Sequence, residues 1–262
     1  MSALTKSPIK DKPLRHPGQS LEEARRKLVE DRLEIPLLLA VVFILFAAME
    51  WWRYFWEMPP NPLIFSIFAV FFVGFAGWRL WKTRARIDEI KQGIEGEKAV
   101  GQFLEGLRGS GYHVFHDLIG DGFNVDHVLI GPAGVFTIET KTWSKPVRGE
   151  AKILFDGEQL SIHGREPERN PVIQARAQSS WLKALLTEST GRNFDVFPVV
   201  AFPGWYIDQS NDCLQNIWVL EPKALVKFLA KAPQKLKPDE VSLASFHLSR
   251  FIRSGEPRRN NK

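Results

Sequence analysis

The stretch Gly134 to Lys141 is apolar until it ends in Glu139-Thr140-Lys141. If it is a strand, side chains alternate between faces, so Val135, Thr137, Glu139 and Lys141 share one. Asn124 to Ile130 is a second strand candidate, joined to the first through Gly131-Pro132-Ala133-Gly134, which reads as a tight turn. A hairpin symmetric about Pro132-Ala133 pairs positions whose numbers sum to 265 and sets Asp126 opposite Glu139. Directly opposed residues place their Cβ atoms about 4.5–5.5 Å apart. Two carboxylates that close repel unless something positive lies between them, and hard oxygen donors favour Mg²⁺ or Mn²⁺. Glu-x-Lys recurs along the chain, among other places at Glu89-Ile90-Lys91, Glu139-Thr140-Lys141 and Glu221-Pro222-Lys223. Only the middle copy ends an apolar strand with an Asp at the mirrored position, and the other two read as solvated helix charges.

The elements that must hold these residues can be read around them. Val100, Phe103, Leu104 and Leu107 recur at helical spacing after Gly93-Ile94-Glu95-Gly96-Glu97, which reads as a break from a charged linker. Glu97 lies on the same inward stripe, near the expected helix start, where a carboxylate either complements the helix dipole or is aimed at a site. Tyr112 to His116 is a first strand. Ile153 to Ile162 reads as a further hairpin turning at Asp156-Gly157. Asn170 and Pro171 suit the N-cap and first position of a helix over Val172 to Leu186. Gln174 falls in its first turn, with Gln178, Trp181 and Leu185 on roughly the same side. Val196–Phe202 and Ile217–Leu220 read as strands, Ala224–Ala230 and Val241–Ile252 as helices, so the domain is mixed α/β.

The N-terminal part is different. Neither Ile35 to Met49 nor Leu63 to Trp78 contains a charged side chain. Helices over 35–56 and 63–81 would be roughly 33 Å and 28 Å long, against a hydrocarbon core of about 30 Å. Five of the nine tryptophans fall in 51–81, clustered at the ends of the runs as interfacial anchors do. A helix packed in a soluble core shows a polar stripe, and 63–78 shows almost none. Eight Lys and Arg lie in residues 1–34, five more follow the second run at Arg79 to Lys91, and only Arg53 lies near the connecting turn. Both flanks therefore read as cytoplasmic, at the cell (plasma or inner) membrane. The segment before Leu21, rich in Lys and Pro, reads as a disordered tail, and Leu21–Leu33 as an amphipathic helix. The 262-residue chain carries a net charge of +5, of which residues 1–92 hold +4 and residues 93–262 only +1. The basic excess thus belongs to the membrane flanks. With Cys213 the only cysteine, an intrachain disulfide and a Cys-based zinc site are excluded.

Gly93-x-x-Gly96-Glu97-x-x-Val100, Val125-Asp126-His127, Gly131-Pro132-x-Gly134-Val135-Phe136-x-Ile138-Glu139-x-Lys141-x-Trp143 and Asn170-Pro171-x-x-Gln174, in this order, resemble the NERD (nuclease-related) domain. The resemblance covers about 93–205. It implies an α/β fold of the PD-(D/E)xK, restriction-endonuclease-like kind, a mixed sheet flanked by helices, here preceded by two transmembrane helices. It implies Asp126, Glu139 and the backbone carbonyl of Thr140 as metal ligands, with Glu97 a further candidate. Lys141 would activate water and stabilise phosphate charge, and Gln174 would complete the site. Two departures, Thr142 where Asn is common and Lys145 where Gly is common, touch packing and local charge. The organisation expected is a basic tail (1–34), an apolar hairpin (35–56 and 63–81), a charged linker (82–92), the nuclease-like domain (93–232), and a C-terminal helix and tail (233–262). The function expected is Mg²⁺- or Mn²⁺-dependent hydrolysis of nucleic acid, DNA before RNA, by a domain anchored to the lipid bilayer on its cytoplasmic side. The alternative is a non-catalytic nucleic-acid-binding or scaffold module on the membrane, which a domain charge of only +1 favours.

Overall fold

The computed structural model describes residues 14–56, 62–120, 122–145, 150–162, 164–167 and 169–255. The chain forms two compact units, Ser20–Gln92 and a second built from Met1–Gln19 together with Gly93–Lys262.

The helices begin with α1 (Gln19–Val29), which runs through one π-helical turn (Glu30–Glu34) into α2 (Ile35–Phe55); α3 spans Pro62–Glu105. Both long helical stretches are apolar and long enough to cross a membrane. They pack on each other through aromatic rings: Phe43 stacks on Phe72 with centroids 4.6 Å apart, and the Trp51 indole N–H donates to Ser66 Oγ at 3.3 Å. Their outer faces leave Leu38, Val70 and Phe71 more than half exposed, an apolar surface that water does not favour. Residues 57–61, in the expected connecting turn, lie outside the described residues.

Two expectations from sequence do not hold. Residues 14–19 are not a free tail: Arg15 is buried within the second unit (residues 1–13 lie outside the described ones). The Gly93–Glu97 break is also absent, because α3 runs through it without interruption. A single helical glycine costs only about 1 kcal/mol relative to Ala, which the good helix formers around it tolerate. Gly96 and Gly101 are needed for close approach instead. A Cβ on Gly96 would sit 1.6 Å from Thr142 Oγ1, and one on Gly101 would sit 2.4 Å from Pro17 Cγ.

The second unit is built on a five-stranded mixed sheet. The strands are β1 (His113–Ile119), β2 (Asn124–Gly131), β3 (Gly134–Thr140), β6 (Val196–Ala201) and β8 (Trp218–Leu220), in the order β1-β2-β3-β6-β8. The first three are antiparallel, and β6 and β8 add in parallel. A smaller sheet, in the order β5-β4-β7, contains β4 (Lys152–Phe155), β5 (Leu160–Ser161) and β7 (Tyr206–Gln209). The β4–β5 turn at Asp156 is as expected, its carboxylate accepting from the N–H groups of Glu158 and Gln159. Helices α4 (Pro171–Thr190), α5 (Pro222–Lys231) and α6 (Pro238–Gly255) complete the unit. Val100, Leu104, Leu225 and Leu229 of α3 and α5 pack on one face of the sheet beside Phe136 and Ile138. Leu182, Leu186, Ala244 and Leu248 of α4 and α6 pack on the other, beside Val128, Ile130 and Val135. The mixed sheet flanked by helices, after two long apolar helices, is the architecture the sequence implied.

Gly96→Ala should destabilise the second unit by about 1–3 kcal/mol through overpacking, with partial recovery in the Gly96→Ala, Thr142→Ala pair, as measured by chemical unfolding. Wild-type stability in the single variant would refute the close approach.

Candidate active site

The β2–β3 register is the one read from the hairpin symmetry, with His127↔Ile138, Val128↔Thr137 and Gly131↔Gly134 paired. Asp126 and Glu139 are the next step of that ladder. The Asp126 carboxylate there reaches across and accepts the Thr140 N–H at 2.7 Å. Glu139 is almost fully buried, and both its oxygens are engaged. Oε1 pairs with the Lys141 ammonium at 2.5 Å, and Oε2 accepts from the Gln178 amide at 2.5 Å. Lys141 also donates to Gln174 Oε1 at 3.2 Å, so the lysine is held between strand β3 and the first turn of α4. The Asn170 side chain caps that turn by accepting the Val172 N–H at 2.9 Å, with Pro171 following it. The cap fixes where Gln174 and Gln178 enter the site.

Glu97 joins this group from the far end of α3. It lies well inside the helix rather than in a first turn, so dipole complementation does not account for it. Its inward stripe is Ile94, Glu97, Val100 and Leu104, all buried. Burial pushes its carboxyl up to about 7, with the charges of Asp117 and Glu139 acting the same way, and the N–H of Gly18 and the charge of Lys141 opposing. Asp126 is likewise held well above the usual carboxylate range by loss of water, and then by Glu139 and Glu97. All five side chains singled out from sequence, Glu97, Asp126, Glu139, Lys141 and Gln174, thus meet in one electrostatic cluster. The Thr140 carbonyl belongs to the residue whose N–H holds Asp126.

Several participants were not legible beforehand. Gln178 ties Glu139 to β2, its amide donating to the Asn124 carbonyl at 2.8 Å as well; its i+4 spacing from Gln174 was the available signal. Asp117 carried none. Its φ of 52° lies in the left-handed region, which Asp tolerates better than most residues. The β1–β2 register runs His116↔His127 and Leu118↔Val125. Phe115 and Leu118 face the same core cluster, so strand alternation breaks at Asp117, opposite Asp126. Alongside, His116 and His127 approach with Nδ1 to Nδ1 at 2.9 Å, and His116 Nε2 lies 2.9 Å from Glu105. Burial holds both imidazoles below their ordinary pKa.

The donor chemistry suits a hard divalent cation. Three acidic side chains share a corner with one ammonium, and two of them resist ionising there. A bound cation would supply the missing positive charge, with Asp126 and Glu139 as its carboxylate donors and Glu97 within electrostatic reach. They are not gathered into a closed cage: among the described residues no group of three or more His, Cys, Asp or Glu is spaced to hold a metal ion. Lys145 stands apart from this corner, beside Gly204.

A mixed sheet carrying acidic residues and a lysine at the end of a central strand is the architecture of a nuclease-like α/β domain. Residues 92–203 match the model of the NERD family, described as the nuclease-related domain. No curated protein and no solved structure matches it.

The raised Glu97 carboxyl has a signed consequence. Folding favours its protonated form, so its stabilising contribution is full below about pH 4.5 and is lost as pH rises through about 7. Without divalent metal, Glu97→Gln should therefore gain stability over wild type between pH 4.5 and 8, on the order of 2–3 kcal/mol. Unfolding in chelator at both pH values measures it, and a variant difference independent of pH would refute the assignment.

Proposed function

We propose that the second unit is a divalent-metal-dependent nuclease, hydrolysing phosphodiester bonds in nucleic acid, with DNA as the first expectation. The observation that carries this reading is the Glu139–Lys141 pair with the carboxylates of Asp126 and Glu97 close enough to feel both charges. Bound to Asp126, Glu139 and the Thr140 carbonyl, Mg²⁺ or Mn²⁺ would neutralise phosphate charge and acidify water. The protein's own groups would do the rest. Lys141, held between Glu139 and Gln174, offers a fixed cation to the phosphate oxygens as charge builds there. Gln178 holds Glu139 through its Oε2, and Glu97, near the two carboxylates, is placed to support the metal or to take a proton from the attacking water.

We further propose that α2 and the first part of α3 cross the cell membrane as a hairpin, with both termini and the nuclease domain cytoplasmic. The support is the Lys and Arg on both flanks of the hairpin and the apolar outer faces of its helices.

In full-length protein, Lys141→Ala, Asp126→Ala and Glu139→Ala should each lower Mg²⁺-dependent cleavage by at least about 100-fold, assayed on single-stranded, duplex and branched substrates. Cleavage that survives these changes would remove these residues from the chemistry. Salt-dependent binding without hydrolysis in wild type would favour the non-catalytic binding module. A topology reporter joined after Lys262 should be active only in the cytoplasm, and external activity would reverse the orientation.

A further inference from the structure

Residues 15–18 lie along the face of α3 that carries Glu97. Gly18 packs on Ile94, and its N–H is bonded to the Glu97 carboxylate. Pro17 fills the space over Gly101, where no Cβ fits. Positions 94, 97 and 101 are spaced i, i+3, i+7, one stripe of a helix, so the segment follows that stripe for two turns. Gly18 has φ of 76°, which favours glycine. Upstream, Arg15 Nε donates to Asp117 Oδ2 at 2.7 Å, and its Nη2 reaches the same oxygen at 2.7 Å. Both side chains of this pair are almost fully buried. Asp117 is also the left-handed residue of β1 whose negative charge bears on Glu97. One contact thus reaches Glu97 on the helix, and the other holds Asp117 on the strand, whose charge acts on Glu97. Both come from a segment that the whole of Ser20–Gln92 separates in sequence from the rest of its unit.

We propose that Gly18 and Arg15 are positioning residues of the nuclease site, a strap that fixes Glu97 against the metal-binding carboxylates, and that the apolar hairpin is an insertion within the catalytic unit. The strap works through the residues it touches: Gly18 aims Glu97, and Arg15 compensates Asp117 beside it. This rests on the metal-dependent reading above, and its test separates the two. Groups orienting a metal ligand typically contribute 10–100-fold to metal affinity or activity.

The test uses full-length protein in lipid nanodiscs, with Mn²⁺ as the probe. Hydrogen exchange on wild type should show protected amides at 15–19. Addition of Mn²⁺ should leave the protection of the amides at 15–19 in place or raise it. Gly18→Ala and Arg15→Ala should each weaken Mn²⁺ binding by about 10–100-fold. Leu248→Ala, a core change on α6, should lower the melting temperature and leave Mn²⁺ affinity unchanged, separating positioning from stability. Free-peptide exchange at 15–19 would overturn the proposal, as would single variants that bind Mn²⁺ like wild type. So would protection at 15–19 that is lost when Mn²⁺ binds, since the segment would then be a cover that must leave. Absence of Mn²⁺ binding by wild type would remove the strap's purpose and overturn it too. If wild type binds Mn²⁺ but cleaves nothing, the nuclease reading fails while the strap is judged on Mn²⁺ affinity alone.

Discussion

Like charges in a water-poor corner repel, and most of the second unit serves to hold three acidic side chains together against that repulsion. Glu139 is buried on a central strand with one cation and one amide on its two oxygens. Asp126 is tied to the backbone of the neighbouring strand, and Glu97 is presented by a helix on another side of the same corner. Isolated buried carboxylates would protonate, and Glu97 and Asp126 are pushed that way. The capped start of α4, the left-handed step in β1 and the glycine-lined contact of α3 with Thr142 all constrain how near these groups come.

Local patterns carried most of the site. The β2–β3 pairing follows from a four-residue turn and strict alternation, and it placed Asp126 beside Glu139 because a hairpin register leaves little freedom once its turn is fixed. Asn170-Pro171 marked the start of α4 because a cap and a first-turn proline are sterically specific, and Gln174 came with it. Glu97 was legible through helical spacing, although its position within the helix was not. Gly96 resembles punctuation in a sequence, whereas its role is set by Thr142 elsewhere in the fold.

The long-range contacts were the unreadable part. Nothing local distinguishes Arg15 from the other basic residues of a Lys- and Pro-rich segment, and its partner Asp117 is 102 residues away. The left-handed conformation of Asp117 likewise depends on what packs around β1. The short strand Tyr206–Gln209 escaped notice because only parallel pairing with β4 defines it. The charge split between the flanks of the apolar helices and the rest was readable, but the local acidity of the corner formed by Glu97, Asp126 and Glu139 depends on the fold.

The placement of residues 14–19 imposes an order on how the chain is made. They are synthesised early, yet the partners of Arg15, Pro17 and Gly18 described above lie at Ile94 and beyond, so those contacts cannot form while Ser20–Gln92 is being added. At about 5–20 residues per second, that interval is roughly 4–15 s. The apolar helices therefore leave the ribosome before the corner of carboxylates can close. The earliest-made part of the unit is among the last to find its contacts, and the acidic corner stays incomplete until the hairpin has been made.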